Sequence, residues 1–224
     1  MKKVAIAIDG PSGAGKSSIA KALAKKLGII YVDTGAIYRT VGLYVFRNKV
    51  DSKDAPKIIS MLPEITVKLA YVDGTQHIYL NGEDVSGLIR TETISKYASD
   101  VSAIPEVRAF LLSLQRDMAK ENSVIMDGRD IGTVVLPDAE VKIFLTASAK
   151  VRAQRRYKEL VEKGEKVIFE DVLAAIITRD TNDSSRATAP LKAADDAVIL
   201  DSSDINAEQT LNAVIDIINS KTAE

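Results

Sequence analysis

Val4-Ala5-Ile6-Ala7-Ile8-Asp9-Gly10-Pro11-Ser12-Gly13-Ala14-Gly15-Lys16-Ser17-Ser18 decides how the rest of the chain is read. The five apolar residues 4–8 form a short run without polar alternation. Such a run suits a strand buried on both faces, as in the middle of a parallel sheet. Residues 10–17 then fit the pattern Gly, four residues, Gly-Lys-Ser/Thr. Glycines let the backbone curl so that several N–H groups point at one phosphate chain, and the positive end of the following helix adds to the attraction. Lys16 supplies a point charge for the β- and γ-phosphates, and the Ser17 hydroxyl is placed to hold Mg²⁺. Residues 17–27 carry Ile19, Ala22, Leu23 and Leu27 at helical spacing, with Gly28 as a stop. Residues 29–32 form a second short strand, ending at Asp33. Strand, loop, helix, strand is the opening of an α/β fold, and it predicts a site for the phosphates of a nucleoside triphosphate.

Outward from this opening, residues 34–48 read as an amphipathic helix and 57–62 as a short one ended by Pro63. The texture then changes. Residues 65–69 and 77–80 alternate, and Asp73-Gly74 and Asn81-Gly82 are turn dipeptides. This predicts a small antiparallel insert at about residues 64–89. The lone histidine, His77, reads as a surface strand residue there, and Tyr71 and Tyr79 as packing for the small sheet. Helix returns at 94–119, broken near Ile104-Pro105. Strands are expected at 123–126, 141–145 and 197–200, and helices at 149–163, capped by Ser148, and 169–182, with Gly164 between them. A C-terminal helix carries Leu211, Val214, Ile215 and Ile218 on one side. Residues near Glu224 read as a frayed end.

The 224 residues suffice for one sizeable α/β core with an inserted lobe. With 30 Lys and Arg against 31 Asp and Glu, there is no overall basic character to favour nucleic acid. The chain has no cysteine, which excludes disulfides and thiolate metal sites and is compatible with a reducing compartment. The apolar run at 4–8 is too short for a signal-peptide core, and no stretch of about 18 apolar residues exists. The expectation is a cytoplasmic protein, monomeric, with no membrane or nucleic-acid partner.

A phosphate loop alone does not choose between a kinase, a GTPase and a motor-type ATPase. A small-molecule kinase that phosphorylates a phosphate needs cations to offset the repulsion between two anionic partners. The sequence offers Asp127-Gly128-Arg129-Asp130 just after an apolar strand, on the sheet edge where α/β proteins bind ligands. Asp33 holds the equivalent place after the second strand. Arg152, Arg155 and Arg156 follow, with Arg152 and Arg156 on one helical face. Arg179, Asp183 and Arg186 also step along one face if helix continues that far.

These residues resemble bacterial cytidylate kinases. The resemblance is carried by residues 8–16, by Asp33-Thr34-Gly35-Ala36-Ile37-Tyr38-Arg39, by residues 127–135, by Arg179-Asp180, by residues 189–192 and by Asp195-Asp196-Ala197, and it runs from about residue 3 to 218. It implies the nucleoside monophosphate kinase fold: a five-stranded parallel sheet with flanking helices, a lid, and an acceptor-binding lobe containing a small antiparallel sheet. The core would be about 1–40, 120–148 and 190–224, the lobe about 34–118 and the lid about 149–189. The implied reaction is ATP with CMP or dCMP giving ADP with CDP or dCDP, with Mg²⁺.

By the same resemblance, Gly10, Pro11, Ser12, Gly13, Ala14, Gly15, Lys16, Ser17 and Ser18 hold the donor. Asp33, Thr34 and Tyr38 begin the acceptor pocket, and Arg39 and Arg129 bind its phosphate. Ser99 and Arg108 read the cytosine ring, and Asp130 accepts from its amino group, which uracil lacks. Arg179 and Asp183 hold the sugar hydroxyls, Arg186 faces the transferring phosphate, and Arg152 and Arg156 are lid arginines. Asp127 either holds Mg²⁺ through water, the favoured role, or orients the arginines around the acceptor. Competing readings are a kinase for UMP or another small acceptor, and a non-catalytic phosphate-loop switch.

Overall fold

The structure is a computed structural model that describes residues 3–72 and 74–222. Strand β1 (Ala5–Asp9) is followed by helix α1 (Lys16–Leu27) and strand β2 (Ile30–Asp33). Next come α2 (Thr34–Arg47), α3 (Ala55–Met61), the strands β3 (Val67–Val72), β4 (Thr75–Leu80) and β5 (Glu83–Asp84), and helices α4 (Glu92–Val101) and α5 (Pro105–Glu121). The chain closes with β6 (Val124–Gly128), β7 (Val141–Thr146), α6 (Ala149–Glu162), α7 (Phe169–Ser185), β8 (Val198–Asp201) and α8 (Ala207–Thr222). A five-stranded sheet runs in the order β2-β6-β1-β7-β8, and a three-stranded one in the order β3-β4-β5. Contacts divide the chain into two compact units. One comprises residues up to Ile29 with those from Ser123 onward, and the other is Ile30–Asn122. No helix among the described residues is long and apolar enough to cross a membrane.

In the first unit, β1 pairs in parallel with both β6 and β7, and β7 with β8. Being central, β1 has no solvent face, which is why residues 4–8 read as an unbroken apolar run. Ile6, Ala7, Ile8, Val124, Ile125, Met126, Val141, Ile143 and Leu145 are all buried. Each large one contributes about 1.5–3 kcal/mol by leaving water. Helix α1 adds Ile19 and Leu23, and α8 adds Val214 and Ile218. Helices α6 and α7 form a hairpin closed by Ala153, Leu160, Val172 and Ile176, with Tyr157 and Phe169 edge to face at 6.0 Å. The Ser148 hydroxyl caps α6 by accepting from the Val151 N–H. Helix α7 continues to Ser185, past the expected 182, so Arg179 and Asp183 share a helical face and Arg186 follows as the C-cap.

In the second unit, β3, β4 and β5 pair antiparallel within the expected insert. Asn81 and Gly82 both have positive φ, 50° and 89°, as a two-residue hairpin turn between β4 and β5 requires. Of the other turn dipeptide, Asp73 lies outside the described residues. Several expected boundaries move in this unit. Helix α3 begins at Ala55, because the Asp54 carboxylate caps it through the Lys57 N–H. Pro63 does not end the helical stretch but sits in a 3-10 turn, Leu62–Glu64, where its ring is tolerated. Strand β3 starts at Val67 rather than 65. His77 lies in β4 with Nδ1 2.8 Å from Asp84. The Tyr71 hydroxyl donates to the Tyr31 carbonyl.

Candidate active site

The phosphate loop joins β1 to α1 within the first unit. Gly10 has φ +147°, and a Cβ there would stand 1.9 Å from the Leu145 carbonyl oxygen, so only glycine fits between the loop and β7. At Gly13 a Cβ would meet the Arg152 side chain at 3.1 Å. Helix α1 has no acidic residue in its own first turn to compete for its N-terminal N–H groups. The Lys16 ammonium is buried and donates to the Pro11 carbonyl at 2.7 Å. Burial, and then the neighbouring Arg129 and Arg179, push it well below the ordinary lysine value, against the pull of Asp127 and Asp9.

Ser17 donates its hydroxyl to Asp127 Oδ2 at 2.6 Å. Asp127 is buried near the end of β6. Two hard oxygens side by side at the mouth of a phosphate loop fit Mg²⁺, which takes one or two protein oxygens and completes its shell with phosphate and water. Among the described residues no cluster of three or more His, Cys, Asp or Glu could hold a metal unaided.

Asp183 gathers three of the expected arginines. Arg129 Nε donates to Oδ2 at 2.9 Å, Arg186 Nη2 lies 3.5 Å from Oδ1, and Arg179 Nε lies 4.0 Å from Oδ2. Burial would raise the Asp183 carboxyl, but the three guanidiniums outweigh it and hold it below the usual range. Arg179 also reaches the Ser12 hydroxyl at 3.4 Å. The arginines of α6 differ from one another. Arg152 is buried, and it donates to the carbonyls of Ala147 and Ser12 and to both oxygens of Asp180. It thereby ties the α6–α7 hairpin to the phosphate loop. Arg155 donates to the Ser202 carbonyl and hydroxyl. Arg156 pairs with Glu159 on the half-exposed side.

Asp9, at the end of β1, is also buried. Its two carboxylate oxygens each accept one backbone N–H at 2.7 Å, from Ile131 and Gly132. These residues open a wide helical turn, Ile131–Val135, directly after Arg129 and the buried Asp130. Burial raises the Asp9 carboxyl to about 6, with Asp130 adding to the rise and the two N–H donors and Lys16 opposing it.

In the second unit, Asp33 caps α2 by accepting from Ala36 N–H at 2.9 Å, while Arg90 donates to it at 2.8 Å and Arg39 lies 3.9 Å away. Burial would raise this carboxyl too, but Arg90 and Arg39 hold it below its ordinary value. Thr34 is the buried first residue of α2. Arg108 is buried, with its guanidinium 5.6 Å from the centre of the Tyr38 ring, within cation–π range, and Nη1 donating to the Ser102 carbonyl at 3.3 Å. The Ser102 hydroxyl in turn donates to the Ser99 carbonyl, so Tyr38, Ser99 and Arg108 form one connected patch.

Three charged residues of these clusters escaped the sequence reading: Asp9, Arg90 and Asp180. Asp9 stands beside the loop motif, and Asp180 beside Arg179, but nothing local announces their partners. Asn48-Lys49-Val50-Asp51 also matches the Asn-Lys-x-Asp pattern by which GTPases read guanine. Here it closes α2. Asn48 donates to the Tyr44 carbonyl and Asp51 accepts from the Lys53 N–H, so these side chains serve local turns.

A parallel α/β sheet, a phosphate loop, a Ser–Asp oxygen pair and buried cations define the class of phosphate-loop nucleotide-binding proteins. The family model for cytidylate kinase matches residues 6–220, and the chain belongs to that family. A cytidylate kinase of Caldicellulosiruptor saccharolyticus is 52% identical over 217 residues, covering 97% of this chain and 96% of the relative. Those of Thermosipho melanesiensis and Pasteurella multocida are 49% and 47% identical, each over 216 residues, covering 96% of this chain and 97% and 95% of the relative. A solved structure of an uncharacterized protein from Eubacterium ventriosum shares the fold, with TM-score 0.55 at 13% identity, covering 97% of this chain and 99% of its own.

Proposed function

We propose that the chain transfers the γ-phosphoryl group of ATP to CMP or dCMP, giving ADP with CDP or dCDP. The observation that carries the reading is the crowding of Lys16 by Arg129 and Arg179 beside the phosphate loop. Asp127, Asp9 and Asp183 balance these cations in part, and the spreading charge of a transferring phosphoryl group is the further anion they suit.

Residues 10–18 hold the donor, the loop N–H groups and Lys16 facing its phosphates. Ser17 and Asp127 would hold Mg²⁺, which when bound neutralises charge on the β- and γ-phosphates. Arg129, Arg179 and Arg186 are set in place by Asp183, itself a ligand for sugar hydroxyls together with Arg179. Arg39 and Arg129 take the acceptor phosphate, and Asp33, Thr34 and Tyr38 begin its pocket. Ser99, Arg108 and Asp130 read cytosine. Arg152 and Arg156 serve the lid, Arg152 by holding the loop and hairpin together. No general base is needed, because the acceptor phosphate is already an anion at neutral pH. The reading is of a monomer working in the cytoplasm on small-molecule substrates. The balance of 30 basic against 31 acidic side chains weighs against a nucleic-acid partner, and the lack of cysteine is compatible with a reducing compartment.

A coupled assay of ADP release with ATP, Mg²⁺ and each nucleoside monophosphate tests this. Turnover is expected with CMP and dCMP and much less with UMP. Equal rates with CMP and UMP would defeat the cytosine assignment, and no turnover with any monophosphate would defeat the kinase.

A further inference from the structure

Two residues, Arg129 and Asp130, separate two anchors in the first unit. Before them, Gly128 is fixed in the β1–β6 ladder opposite Asp9. After them, the N–H groups of Ile131 and Gly132 are held by the Asp9 carboxylate, one on each oxygen. These two N–H groups open the turn Ile131–Val135, whose internal bonds begin with Val134 and Val135 donating back to Asp130, so nothing within the turn satisfies them. A local cap is missing too, since the Asp130 side chain, at the capping position, makes no capping bond. Gly132 keeps the approach open: a Cβ there would stand 3.4 Å from Asp9 Oδ2 and 3.2 Å from Lys142 Cδ. The backbone of β1 thus fixes one end of the segment that carries Arg129 and Asp130, and the Asp9 carboxylate fixes the other.

We propose that Asp9 is a positioning residue for the phosphoryl transfer, holding Arg129 and Asp130 where they meet the acceptor nucleotide. It touches neither substrate. It acts through the backbone that presents the two side chains which do, and its influence falls on the acceptor rather than the donor. The inference rests on the cytidylate kinase reading above.

Asp9→Asn tests it. The amide keeps the size but turns one acceptor into a donor, which then confronts a backbone N–H. With wild type and variant assayed side by side, KM for CMP is expected to rise at least tenfold. KM for ATP should change less than twofold, and the preference for CMP over UMP should narrow. Amide exchange at residues 131–135 should speed up in the variant. Unchanged CMP KM and selectivity would overturn the proposal. So would equal rises in both KM values, which would mark Asp9 as merely a support of the fold. If Asp9→Asn does not fold, Asp9→Glu keeps the charge but displaces the two acceptor oxygens by one methylene, and it is judged by the same split. A wild-type chain inactive on CMP would instead overturn the reading on which this one stands.

Discussion

Asp130 acts electrostatically on Asp9 in the first unit, yet the proposed reading gives the two carboxylates different tasks. Asp130→Asn keeps an oxygen that can accept from the cytosine amino group but loses its charge and adds a competing donor. The ratio of kcat/KM for CMP over UMP is expected to fall by roughly tenfold, equivalent to about 1.4 kcal/mol of discrimination; an unchanged ratio would remove Asp130 from base reading. Asp9 offers a separate test through pH. Its folded value is raised from the ordinary 3.8 to about 6, with burial the leading cause. The folded state therefore binds the Asp9 proton more tightly than the unfolded chain does. Its stabilising contribution is fully present below pH 3.8 and is lost as pH rises through 6. The difference corresponds to about 3 kcal/mol. Buried carboxylates held low by arginine, Asp33 and Asp183, drive the opposite trend in the whole protein. The expected result is therefore a difference. Between pH 4 and 7, urea unfolding of Asp9→Asn should gain more stability than wild type, by about that amount. Parallel curves would show that Asp9 titrates normally.

At the scale of elements, the join of β1 to α1 is the least tolerant. Gly10→Ala would force a side chain into the Leu145 carbonyl at a left-handed φ. Backbone strain and overpacking together make about 2–6 kcal/mol of lost stability, read by urea unfolding, with loss of ATP binding by calorimetry. This join was also the most legible part of the sequence. An apolar run, a glycine pattern and a helical stripe each carry a period or a motif, and their order alone foretells a parallel α/β sheet. Ser148 as a cap and Asn81-Gly82 as a turn were readable for the same local reason. Other elements gave no such sign. Strand β5 is two exposed acidic residues, Glu83 and Asp84, without alternation. The wide turn Ile131–Val135 has no sequence period of its own. The pairings of Asp33 with Arg90 and of Arg152 with Asp180 join residues 57 and 28 positions apart, and charges on separate elements leave no pattern to read.

For the whole molecule, a ligand that binds only the folded chain must raise its melting temperature. ATP with Mg²⁺ at a hundred times its Kd is expected to add about 2.7 kcal/mol. For a chain of this length that is a rise of about 5–11 °C in a thermal scan. No shift would mean that the folded chain does not take the donor. Sheet order has a further consequence, for the chain as it is made. Strand β1 is synthesised before its neighbours β6 and β7, which lie more than a hundred residues downstream. At about 5–20 residues per second, the ribosome takes on the order of 10 s to deliver them. During that interval Ile6, Ala7 and Ile8 have no partner strand, while residues 30–122 emerge complete and can assemble among themselves. The nascent chain is then exposed to aggregation at β1, where a chaperone would find an uncovered apolar strand waiting for the second half of its own sheet.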